Sequence, residues 1–133
     1  MIELHGWVVL RESFDEEGEC EVLFSEARSK IGRYLRNAPD SNLICTEVVQ
    51  NGAYNLLVNG NFNHKDSRWN YVVALFEFIA KVAVGSYGVL HFFDDEDQKG
   101  KDNQFQVLVL KKGQIKWVVD ENMSPYFPEL EER

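Results

Sequence analysis

The sequence predicts an α+β protein: a mostly antiparallel sheet with two helices packed on one face, in the order β-α-β-β-α-β-β-β. Three observations carry this. Short runs of β-branched and aromatic residues alternate with two longer segments whose apolar residues recur at helical spacing. Turn signals divide the non-helical stretches into hairpins. Strand pairs separate the helices, which favours antiparallel pairing with both helices on one side. A ferredoxin-like βαββαβ core with an added C-terminal hairpin is the simplest version, and it leaves the other sheet face open.

Each element has a local reason. "IELHGWVVLR" (2–11) is a continuous apolar run and reads as a first strand, sheltered on at least one face. "ESFDEEGE" (12–19) is an acidic loop. Phe24, Ala27, Ile31, Tyr34 and Leu35 then recur at helical spacing within 20–37. Acids early in that segment (Glu19, Glu21, Glu26) and bases late (Lys30, Arg33, Arg36) suit the helix dipole. Asn37 and Pro39 are its stop signals. "NLICTEVVQ" and "YNLLVNGNF" flank Asn51-Gly52, a pair that tolerates positive φ and so marks a hairpin turn. Asp66 or Ser67 can cap a second helix. Trp69, Val73, Phe76, Ala80 and Ala83 form one face of it, and Leu75, Phe78, Ile79 and Val82 widen the apolar surface. It should therefore be the more buried helix, ending at Gly85. "SYGVLHFFD" is a strand, and "QFQVLVLKKGQIKWVVD" a hairpin turning at Lys111, Lys112 and Gly113. The chain reads as a single domain over 1–133, with an irregular acidic tail from about 121.

Composition narrows the function classes. A chain of 133 residues can bury roughly two thirds of its unfolded surface and needs no metal or disulfide to fold. The net charge of −8 argues against binding nucleic acid or an anionic membrane, which require a positive footprint. It suits a basic protein partner. No apolar run is long enough to span a bilayer. "MIELHGW" lacks the pattern of a secretion signal, so the expected location is the cytoplasm, with Cys20 and Cys45 reduced.

No catalytic constellation emerges. The acid run Asp94, Asp95, Glu96, Asp97 matches only part of a calcium loop. Counted from Asp95, Lys99 falls where an oxygen ligand belongs and Gln106 where the bidentate Glu belongs. The ordinary reading is a solvated acidic turn. Three histidines (His5, His64, His91) form no HExxH pair, and GxSxG, GxGxxG and P-loop patterns are missing. Cys20 lies between acids, which disfavours a thiolate, and Cys45 lies in an apolar strand. Glu77, in "ALFEFIAK", is a candidate desolvated base; the plainer reading is an ion pair with Lys81 one turn on. Trp7, Trp69, Trp117 and Tyr87 could stack nucleic-acid bases, but the negative charge opposes it. No cofactor, metal site or catalytic residue is expected.

"MIELHGWVVLRES", "SYGVLHFFDDED" and "QFQVLVLKKGQIKW" together resemble the Immunity protein 7 family of bacterial polymorphic toxin systems. The resemblance runs over most of the chain, and "HGW" and "SYG" prompt it. It implies an α+β protein encoded beside a toxin gene, which binds and neutralises that toxin in the producer's own cytosol and is not an enzyme. Many toxins of such systems attack nucleic acids through basic clefts, so a nuclease is a candidate partner. An acidic surface could occupy such a cleft as substrate phosphates would. That makes Asp94, Asp95, Glu96 and Asp97 the candidate contact patch, joined by Asp15, Glu16 and Glu17. Two readings from other classes stay open. One is a small enzyme or ligand-binding domain on the open sheet face, using His5, His91 and Glu77. The other is a module that self-associates through strand edges, which the lysines of the last hairpin discourage. The expected state is a monomer or weak homodimer.

Overall fold

The computed structural model describes residues 1–13, 20–39 and 42–131. The elements are β1 (Ile2–Val9), α1 (Glu21–Leu35), β2 (Leu43–Gln50), β3 (Ala53–Phe62), α2 (Ser67–Val82), β4 (Tyr87–Asp94), β5 (Phe105–Lys111), β6 (Gln114–Val119) and a short α3 (Pro128–Glu131). The strands form one sheet in the order β2-β3-β1-β4-β5-β6, with every neighbouring pair antiparallel. Each long helix therefore crosses over one intervening strand. That is the ferredoxin-like plan, and β5 and β6 extend it beyond β4.

The core lies between the helices and one face of the sheet. Ile2, Leu4 and Val8 share that face with Leu56, Val58, Leu90, Phe92, Leu108 and Leu110. α2 buries six residues against it and α1 only two, so the second helix is the deeper one, as its wider apolar stripe predicts. Asp66 is the N-cap of α2; its carboxylate accepts the Arg68 N–H at 2.8 Å. The helix stops at Val82 with Ala83 as its C-cap, short of the expected Gly85.

Both hairpins turn through two residues of positive φ: Asn51 (51°) with Gly52 (75°), and Lys112 (51°) with Gly113 (71°). The β1–β4 pair contains two close approaches. A Cβ on Gly88 would lie 2.1 Å from the Trp7 carbonyl oxygen, and one on Gly6 would lie 2.9 Å from the Val89 oxygen. These are the glycines of "SYG" and "HGW".

The chain beyond β6 folds back onto the sheet. Asn103 receives the Phe127 N–H on its side-chain oxygen at 2.8 Å, and its carbonyl accepts the Tyr126 N–H at 2.9 Å. The Tyr126 ring stacks 3.9 Å above Phe93. This covers the Phe93–Phe105 end of the face opposite the helices; among the described residues, Trp7 and Leu57 on the rest of that face stay exposed.

Candidate functional site

The four-acid run does not form one surface. Strand alternation places Asp94, like Phe92, on the helix side. There it is 2% exposed, accepts the Glu96 N–H at 2.9 Å and pairs with Lys65 Nζ at 3.1 Å. Asp94 is thus a structural residue and a correction to the four-acid patch. Asp97 accepts the backbone N–H groups of Lys99 and Lys101, at 2.7 and 3.2 Å. Burial pushes its carboxyl pKa up, but these bonds, with the Gln106 amide, outweigh it and hold the pKa below the ordinary value. Asp95 and Glu96 are exposed. Asp95 lies 2.5 Å from the Met1 amino group, and Glu96 lies 2.5 Å from His64 Nδ1. Asp15, Glu16 and Glu17 lie outside the described residues.

His5 and His91 do face each other, as directly opposed residues of β1 and β4 on the open side. Asn59 Nδ2 donates to His5 Nδ1 at 3.1 Å, which leaves Nε2–H for Glu3 at 3.2 Å. His91 stacks on Phe105 and bonds Asp120 Oδ2 at 2.9 Å. That bond is the largest reason the Asp120 carboxyl has a lowered pKa. Glu77 does not join them. It is an exposed residue of α2, on the opposite side of the sheet, and no ion pair links it to Lys81. His5, His91 and Glu77, the groups of the alternative ligand-binding reading, therefore do not converge. Among the described residues, no three His, Cys, Asp or Glu are placed to hold a metal ion.

What the sequence reading missed is the apolar character of the open face. Thr46, Leu57, Trp7, Val89 and Val109 stand in register across five strands. Trp7 is 43% exposed, Leu57 44% and neighbouring Ile44 61%. Tyr87 meets Trp7 edge-on at 6.1 Å. A shallow concavity of about 730 Å³ lies here, reaching from Ile44 past Trp7 to Asp120 and Met123. The signal was present: β1, β4 and β5 each carry apolar residues at both alternating positions, such as Trp7, Val89, Val107 and Val109 on the open side, which a one-sided strand does not require.

The described residues thus form a two-layer scaffold whose second sheet face presents exposed aromatic and aliphatic side chains. The family model of Immunity protein 7 matches residues 1–132, and this chain belongs to that family. No curated protein and no solved structure gives a significant match. No described helix is long and apolar enough to cross a membrane.

Proposed function

We propose that this protein neutralises a cognate bacterial toxin by binding it, without catalysis of its own, in the cytosol of the cell that makes both. Membership of the Immunity protein 7 family carries this reading. The geometry supports a division of labour within the contact surface. The Trp7 band has the make-up of an interface centre, with large, rigid aromatics and no charge. The exposed acids Asp95 and Glu96, with Asp97 beside them, supply a negative rim at one end of the sheet. Asp15, Glu16 and Glu17 remain candidate contacts on sequence alone. Such a rim suits a basic partner surface, as a nuclease cleft would offer.

The test is co-expression with the product of the adjacent gene, followed by pull-down and a survival assay. A stable complex and rescue from killing are expected. A neighbour that is neither bound nor toxic would remove the immunity reading.

A further inference from the structure

The two edges of the sheet are guarded unequally. β6 carries Lys116, and before it Lys111 ends β5 and Lys112 lies in the turn. Lysines on an edge deter pairing with another strand. β2, at the other edge, has no lysine and no proline, and half of its residues are β-branched. Its only charge, Glu47, points to the helix side and is held by Arg28, Nη2 to Oε1 2.7 Å. Among the described residues β2 pairs with β3 alone.

The register states which groups are free. Gln50 and Ala53 close a two-residue turn, and the Asn61 N–H donates to the Asn42 carbonyl. Even-numbered residues of β2 therefore bond to β3. By alternation Leu43, Cys45, Glu47 and Val49 turn their N–H and C=O groups outward.

We propose that this edge pairs with the same edge of a second copy, antiparallel, about a two-fold axis at Thr46. That register uses every outward group: Leu43 opposite Val49 of the copy, and Cys45 opposite Glu47. Moving the axis to Glu47 would oppose like charges, which destabilises. Moving it to Cys45 leaves Val49 unpaired. On the open side the chosen register sets Thr46 against Thr46 and Ile44 against Val48, favourable cross-strand pairs. On the helix side it brings two Arg28–Glu47 pairs together, each copy supplying one charge of each sign. The sheet becomes twelve-stranded and both helix layers stay on one face. A strand edge alone buries less than the roughly 800 Å² per partner of a standard interface, so the dimer is reversible. Two chains of charge −8 repel, so salt strengthens the dimer.

Thr46 would sit in a pair without ladder hydrogen bonds, where opposed Cα atoms lie about 4.5 Å apart, within disulfide reach. The experiment uses the full chain with Cys20→Ser and Cys45→Ala, to which either Thr46→Cys or Val48→Cys is added. Under mild oxidation the Thr46→Cys chain should form a disulfide-linked dimer, while the Val48→Cys chain, opposite Ile44, should not. Sedimentation of the unmodified chain should show a monomer–dimer equilibrium that Thr46→Lys abolishes. A monomer at millimolar concentration overturns the proposal. So does a dimer that Thr46→Lys leaves intact, or equal cross-linking of the two cysteine variants.

Discussion

Gly88 and Gly32 differ in what surrounds them, and that difference sets opposite outcomes for the same substitution. At Gly88 an added methyl meets backbone, 2.1 Å from the Trp7 oxygen and 2.7 Å from the Val8 Cα. Backbone cannot rotate away, so β1 and β4 must part. Gly88→Ala should cost about 3 kcal/mol, read as a lower urea midpoint. At Gly32, in α1, nothing lies within 4 Å of an added Cβ. Gly32→Ala should stabilise by roughly 0.5–1 kcal/mol through reduced freedom of the unfolded chain. If both variants lost stability equally, close approach at Gly88 would not be the cause. The sequence displayed Gly88 within "SYG" and Gly6 within "HGW", but the reason for both lies in strand pairing, which no local pattern states.

Among the elements, the strands and helices were legible because each satisfies its own period and its own caps. Asn51-Gly52 and Asp66 work as their chemistry suggests. The helix end at Val82 was less legible, since the Arg11–Ser86 contacts that hold the following turn are long-range (Arg11 N–H to Ser86 Oγ 3.0 Å). The burial of Asp94 was illegible for a similar reason. Four consecutive acids look alike in sequence, yet strand alternation sends Asp94 inward and the turn consumes Asp97. The segment after β6 is likewise fixed by distant partners. Asp120 ties it to His91 and accepts the N–H of Asn122 at 2.9 Å. The His91 bond, foremost, lowers the Asp120 pKa from its usual 3.8. A lowered carboxyl pKa supplies stability that is full above the unfolded value and drains as pH falls through the folded one. Wild type should therefore exceed Asp120→Asn in urea midpoint at pH 5 to 7, and the gap should close on acidification below about 3.8. A gap that stays constant with pH would assign the difference to packing.

At the scale of the whole molecule, charge and apolar surface should control different rates of toxin binding. The net charge of −8 acts over distance, but salt screens it: the Debye length falls from about 10 Å at 0.1 M to about 3 Å at 1 M. The association rate should therefore drop on the order of tenfold as salt rises through that range. Replacing Asp95 by Asn and Glu96 by Gln should lower the low-salt rate and flatten the salt slope. Trp7 contributes no charge, so Trp7→Ala should leave association and its salt slope unchanged. Its exposed ring offers large area to a partner, so dissociation should speed by about thirtyfold, the mark of an anchor residue worth about 2 kcal/mol. Stability should also fall by about 1 kcal/mol, because the ring loses its edge contact with Tyr87 and its cross-strand neighbours. Stopped-flow and surface-capture kinetics on the wild-type complex separate the two effects. A salt-independent association rate would remove the steering role of the acids while leaving binding intact. Unchanged dissociation in Trp7→Ala would move the interface off the open sheet face and onto the acidic end alone.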